Sequence, residues 1–130
     1  MPIKALIVDD SLESRMLLGK ILTKAFHAEI IEASHGKEAL RKLSAEKPDV
    51  IFLDYEMPVL NGKETLKSLR AKADFKDVPV FMITSHSETP LIRELMSYKV
   101  TDFLLKPFSS EYVVNHVSIL FPKDRASSKQ

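Results

Sequence analysis

Cysteine is absent from the 130 residues, which excludes disulfides and thiolate metal sites. That composition suits a reducing compartment, and a cytoplasmic location is expected. Glycine is scarce: the three present form no Gly-rich loop of the kind that cradles phosphates. An excess of one charge is lacking too. Nineteen basic residues face 18 acidic ones, a formal net charge of +1, so no strong field draws the chain toward nucleic acid or a membrane. No apolar run is long enough to span a bilayer. Met1-Pro2-Ile3-Lys4 passes directly into a strand-like run, so no signal peptide is expected. Repeats and low-complexity blocks are missing as well. The length fits one domain, and apolar residues at 45 % suffice for a core.

What recurs is a short apolar run followed by a helical pattern. The runs are Ala5-Leu6-Ile7-Val8, Glu29-Ile30-Ile31-Glu32-Ala33, Val50-Ile51-Phe52-Leu53, Val80-Phe81-Met82-Ile83 and Phe103-Leu104-Leu105. Continuous apolar runs of this length predict strands covered on both faces, as in a parallel sheet. The two glutamates of the second run suit an edge strand. Between the runs, Ser11 is a candidate cap for a helix with Leu18, Ile21, Leu22, Ala25 and Phe26 on one face. Ala39, Leu40 and Leu43 mark a second helix, stopped at Pro48, and Leu66 and Leu69 a third. Pro90 stands where a first helical turn tolerates it, ahead of Leu91, Ile92, Leu95 and Met96. Val113, Val114, Val117 and Leu120 mark a fifth. Five such pairs predict an open α/β sandwich with right-handed crossovers. Residues 122–130 are polar without a periodic face and read as a tail or the start of a linker, leaving a domain over 1–121.

Four of the runs end in a residue that chemistry can use: Asp9-Asp10, Asp54, Thr84 and Lys106. A parallel sheet brings all strand C-termini to one edge, where open α/β sheets bind ligands. Three carboxylates, a hydroxyl and an ammonium are therefore expected to converge. Two carboxylates roughly 4 Å apart repel by about 4 kcal/mol at an effective dielectric near 20. Such a cluster needs a cation, or one member takes up a proton. His27, His35, His86 and His116 show no paired ligand spacing, and an oxygen-only donor set favours a hard ion such as Mg²⁺. An aspartate beside Mg²⁺ and a lysine can attack a phosphoryl group. Singly, each residue has a plainer use: Asp10 or Ser11 as a helix cap, Lys106 as a solvated edge lysine. Four strand ends taken together argue against coincidence.

Four stretches carry a family resemblance: Ala5-Leu6-Ile7-Val8-Asp9-Asp10-Ser11, Leu53-Asp54-Tyr55-Glu56-Met57-Pro58-Val59-Leu60-Asn61-Gly62, Ile83-Thr84-Ser85 and Leu104-Leu105-Lys106-Pro107-Phe108. In this order and spacing the chain resembles the receiver (response-regulator) domain of two-component phosphorelay signalling, over about residues 1–121. The resemblance implies a flavodoxin-like (βα)5 three-layer sandwich with a parallel sheet in strand order 2-1-3-4-5. It implies Asp54 as phosphoryl acceptor, and Asp9, Asp10, Asp54 and the backbone carbonyl of Glu56 as Mg²⁺ ligands. Thr84 matches the hydroxyl that closes on the phosphoryl group, Lys106 the lysine that pairs with it, and Phe103 the aromatic switch residue. The Lys106-Pro107 bond is typically cis in the family. The implied partners are a histidine kinase or histidine phosphotransfer protein, and a downstream protein or fused output domain. Switching would reshape the face made by the fourth helix, fifth strand and fifth helix.

Several positions stand out against that pattern. Glu56, two residues after Asp54, and His86, two after Thr84, are candidates for tuning phosphoryl transfer; each has an ordinary alternative as a solvated loop residue. Lys99-Val100 replaces the small residues usual before the fifth strand, where Gly would suit a helix end. Arg93, Tyr98, Lys99, Tyr112 and His116 are candidates for the output face, and Ser14, Arg15 and Leu18 for contact with a phosphodonor. Two other readings compete. A Mg²⁺-dependent phosphatase with an aspartyl nucleophile usually carries a second Asp where Glu56 stands. A flavin module on a similar fold is poorly served by so few glycines.

Overall fold

The computed structural model describes residues 2–57, 61–85 and 89–121. His86, the Pro58-Val59-Leu60 part of the second matching stretch and the expected tail from residue 122 lie outside the described residues. Among the described residues five strands and five helices alternate: β1 (Lys4–Val8), α1 (Leu12–Phe26), β2 (Glu29–Ala33), α2 (Gly36–Glu46), β3 (Val50–Asp54), α3 (Gly62–Arg70), β4 (Val80–Thr84), α4 (Thr89–Met96), β5 (Asp102–Leu105) and α5 (Ser110–Val117). A 3₁₀ turn, Ala73–Phe75, precedes β4 and had no periodic signal in the sequence. The strands pair in parallel in the order 2-1-3-4-5. The fold is the flavodoxin-like one, and β2 takes the edge that its glutamates predicted.

Alternation along each strand sorts the core into two layers. Leu6, Val8, Ile51, Leu53, Val80 and Met82 face one side of the sheet, where they pack with Leu43 of α2, Leu66 and Leu69 of α3 and Leu95 of α4. Ala5, Ile7, Val50, Phe52, Phe81 and Ile83 face the other, against Leu18, Ile21 and Leu22 of α1 and Val113 and Val117 of α5. Phe52 and Phe81 are register partners whose rings stack with centroids 5.1 Å apart. Each side chain of this kind stabilises the fold by about 1.5–3 kcal/mol when fully buried. Both faces of β3 and β4 are covered, which is why their runs lack polar breaks.

Local chemistry sets the helix ends. Ser11 Oγ accepts from the Ser14 N–H at 3.2 Å, as its residue type predicted. Asn61 and Glu64 form a reciprocal capping box that starts α3. The C-caps of α1 and α2, His27 and Lys47, take left-handed backbone with φ of 53° and 47°. Lys47 thus ends α2 one residue ahead of Pro48.

Some sequence expectations need correcting. Leu18 is buried against the sheet, because one helical position cannot serve both the core and a docking surface. Arg15 is also turned inward, its side chain 14 % exposed. The apolar side chains that α1 does present to solvent are Leu12, Met16 and Leu17. Met96 is half exposed, and Leu120 lies beyond the end of α5 and is exposed.

Candidate functional site

The sheet brings four strand ends to one edge. Asp9 and Asp10 follow β1, Asp54 closes β3, Thr84 closes β4 and Lys106 follows β5. Register fixes their relation. Val8 pairs with Leu53, Asp54 with Ile83, and Thr84 with Leu105. The Lys106 N–H donates to the Thr84 carbonyl at 2.9 Å, carrying the ladder one step past β5.

Asp9, Asp54 and Thr84 are buried, while Asp10 is exposed. One carboxylate oxygen from each of Asp9, Asp10 and Asp54 lies within 4.8 Å of the others. Lys106 Nζ stands 3.5 Å from Asp9 Oδ2 and 3.4 Å from Asp54 Oδ2. Asp9 Oδ1 accepts from the Ser11 N–H at 2.9 Å, and Asp54 Oδ1 from the Glu56 N–H at 3.3 Å. One oxygen of each buried acid is thus tied to its own loop, and the other faces the lysine.

One lysine does not balance this cluster. Burial, and then the charge of Asp9, push the Asp54 carboxyl up to about 7 against the pull of Lys106. Burial pulls the Lys106 ammonium down, but the charges of Asp54 and Asp9 together hold it above its ordinary value. Among the described residues the site is therefore short of positive charge. Three carboxylates, with the exposed Asp10 leaving access, fit a hard divalent cation with oxygen ligands.

The turn after β3 depends on a glycine. A Cβ on Gly62 would meet Tyr55 Cα at 2.5 Å and Asp54 O at 2.6 Å, so only hydrogen fits there. The Gly62 N–H donates to the Tyr55 carbonyl at 2.9 Å. α3 thereby starts directly against the backbone of Asp54.

Other candidates sit as follows. Phe103 is half-buried on β5 and packs against the α2–α3–α4 layer. The Lys106-Pro107 peptide bond is cis. The Glu56 side chain bonds Ser85 across the site mouth, at 2.9 and 3.2 Å to the hydroxyl. On the far helices, His116 Nδ1 lies 2.6 Å from Asp102 Oδ2, and the Tyr112 hydroxyl accepts from the Leu105 N–H at 3.1 Å. Lys99 ends the α4 turn with φ 61° and pairs with Asp77 at 3.0 Å.

Sequence reasoning missed two supports. Arg15 Nη1 donates to the Asp9 carbonyl at 2.5 Å, and Nε to Glu32 at 2.8 Å, bracing the loop that carries the acids. The sequence marks Ser85 only as the neighbour of Thr84, and its contact with Glu56 has no counterpart there. A long arginine one turn into a helix that follows an acidic loop was the available signal for the first; nothing local marked the second.

A parallel α/β sheet with acids, a hydroxyl residue and a lysine on its C-terminal edge defines a receiver-type signalling domain. The family model described as the response regulator receiver domain matches residues 5–118. The chain belongs to that family. It is 30 % identical over 118 residues to the chemotaxis protein CheY1 of Helicobacter pylori, covering 90 % of this chain and 95 % of that one. It is 33 % identical over 109 residues to the chemotaxis protein CheY homolog of Campylobacter jejuni, covering 83 % and 84 %. The structure of Vibrio cholerae chemotaxis protein CheY4 matches with a TM-score of 0.87 at 30 % identity, over 93 % of this chain and all of that one. A CheX–CheY–BeF₃–Mg²⁺ complex from Borrelia burgdorferi matches with a TM-score of 0.86 at 28 % identity, over 93 % and 90 %. These matches favour a signalling receiver over a phosphatase.

Proposed function

We propose that Asp54 accepts a phosphoryl group from a histidine kinase or histidine phosphotransfer protein, and that the α4–β5–α5 face carries the signal to a partner protein or fused output domain. The observation that carries this is the placement of Lys106 between two buried acids, 3.5 Å from Asp9 and 3.4 Å from Asp54. Mg²⁺ would be held by Asp9, Asp10, Asp54 and the Glu56 carbonyl, as a similar protein's complex contains both Mg²⁺ and a fluoroberyllate. When bound, the ion would offset the negative charge of the acids and of the transferring group.

In this reading Asp54 Oδ2, the oxygen facing Lys106, forms the new bond to phosphorus. The P–N bond of the donor imidazole breaks, and that nitrogen keeps the electron pair and later takes a proton. Lys106 stabilises charge on the transferring oxygens from its fixed position. In a separate hydrolytic step water attacks phosphorus and gives up a proton, the P–O bond to Asp54 breaks with its electron pair returning to the carboxylate, and inorganic phosphate leaves. This self-phosphorylation and hydrolysis is the only catalysis proposed.

Phosphorylation adds a charge of about −1.5 to −2 and three strong acceptor oxygens. Thr84 would turn to donate to them, and Phe103, already half-buried beside the core, would fill the space left. Residues 1–121 would form the domain and 122–130 a tail or linker, in a cytoplasmic protein. Incubation with Mg²⁺ and a small phosphodonor, followed by mass measurement, tests the assignment. The parent is expected to gain one phosphoryl group and Asp54→Asn none. An equal gain in Asp54→Asn would refute it.

A further inference from the structure

The Glu56 carboxylate does not join the three acids below it. It reaches across the mouth to the loop after β4. The Ser85 N–H donates to Oε1 at 3.2 Å, and the Ser85 hydroxyl approaches Oε1 at 2.9 Å and Oε2 at 3.2 Å. The backbone N–H of the same Glu56 donates to Asp54 Oδ1 at 3.3 Å. One residue is thus bonded to the acceptor carboxylate through its main chain and to the neighbouring loop through its side chain.

Ser85 directly follows Thr84, and the register partner of Asp54 is Ile83, so the contact spans two adjacent strand ends. An N–H and an O–H on one residue make a small donor pair suited to an anion. In the structure that anion is Glu56. We propose that Glu56 is a positioning residue that latches the Thr84–Ser85 segment in its unphosphorylated arrangement, and that this latch opens when Asp54 is phosphorylated. The inference rests on the assignment of Asp54 as acceptor.

Two effects open the latch. A phosphoryl group on Asp54 is a second, larger anion at the same mouth and repels the carboxylate. It also offers stronger acceptors to donors on the β4 end, and Thr84 cannot move toward it while Ser85 is held. The latch therefore opposes the phosphorylated state, and releasing it favours that state. Glutamine at this position keeps an acceptor but loses the charge, so it is expected to hold Ser85 more weakly than glutamate and more strongly than alanine.

The test compares the parent with Glu56→Gln and Glu56→Ala. In the metal-free proteins, amide hydrogen exchange at Ser85 is expected to be slowest in the parent, faster in Glu56→Gln and fastest in Glu56→Ala. Beryllium fluoride, titrated at saturating Mg²⁺, serves as the phosphoryl stand-in. Glu56→Ala is expected to bind it about five-fold more tightly than the parent, a gain of about 1 kcal/mol. With it bound, Ser85 exchange is expected to converge in all three proteins. Equal Ser85 exchange in the metal-free parent and Glu56→Ala, or equal or weaker binding by Glu56→Ala, overturns the latch and leaves Asp54 as acceptor. If the parent binds beryllium fluoride no better than Asp54→Asn does, the acceptor assignment fails and the latch fails with it.

Discussion

Lys106 Nζ approaches Asp54 Oδ2 to 3.4 Å, although 52 positions separate the two residues in the chain. β3 and β5 are not neighbours; β4 lies between them. The lysine reaches over the end of β4, and the same ammonium meets Asp9 beyond. Removing it takes away the one positive side chain shown against these two carboxylates among the described residues. Lys106→Met is expected to slow phosphorylation by a small phosphodonor about 10²-fold, in the range of losing one preorganised charge-stabilising donor. Phosphorylation rates for the parent and variant at saturating Mg²⁺ check this; rates within two-fold of each other, roughly, would contradict the role given to Lys106.

Asp54 also makes stability depend on pH. Its carboxyl titrates at about 7 in the folded chain and at about 3.9 when unfolded. Between these values the folded state binds more protons, so stability falls as pH rises. The contribution is fully present below about 3.9 and is lost by the time pH has passed about 7. Metal-free protein is therefore expected to lose stability from pH 5 to pH 8, and Asp54→Asn to flatten that slope. Mg²⁺ competes with the same proton, so its affinity is expected to rise across the window. Urea unfolding with and without Mg²⁺ at several pH values reads all three effects.

Much of this site was legible because a parallel sheet needs no side-chain detail to gather its strand ends. Asp9, Asp54, Thr84 and Lys106 each closed an apolar run, and topology did the rest. Roles that depend on where a long side chain turns were not legible. Arg15 has the sequence look of a surface residue, yet it folds back onto the Asp9 carbonyl and Glu32. Leu18 fitted a core face and a docking surface equally until the helix was oriented against the sheet. Glu56 and Ser85 meet only because the ends of β3 and β4 lie side by side, and no local pattern records that.

Gly62 offers a sharper test of packing. The atoms a methyl group would meet are backbone atoms of Tyr55 and Asp54, which cannot rotate away. Gly62→Ala is expected to destabilise the fold by about 1–3 kcal/mol, and to displace the start of α3 from the acceptor strand. Its thermal midpoint should fall, and its Mg²⁺ affinity should fall with it. A variant with the parent's stability would show that the close approach is not maintained in solution.

The turn between α4 and β5 keeps a left-handed residue without glycine. Lys99 holds φ at 61°, and Arg70 braces the segment from outside. Arg70 Nε donates to the Tyr98 carbonyl at 2.8 Å, Nη1 to the Phe75 carbonyl at 2.8 Å and Nη2 to the Lys99 carbonyl at 3.0 Å. Lys99→Gly relieves left-handed strain of about 1–2 kcal/mol, offset by about 0.5–1 kcal/mol of added chain entropy. Its ion pair with Asp77 is exposed and contributes little. The net expectation is a small gain in stability. Arg70→Ala, which removes three charge-assisted donors, is expected to cost about 2 kcal/mol and to speed amide exchange through residues 97–101. Because this turn carries one side of the proposed output face, the two variants push the same element in opposite directions. Partner binding by the phosphorylated chain is expected to weaken in Arg70→Ala far more than in Lys99→Gly. Equal binding by both would show that the bracing serves folding alone.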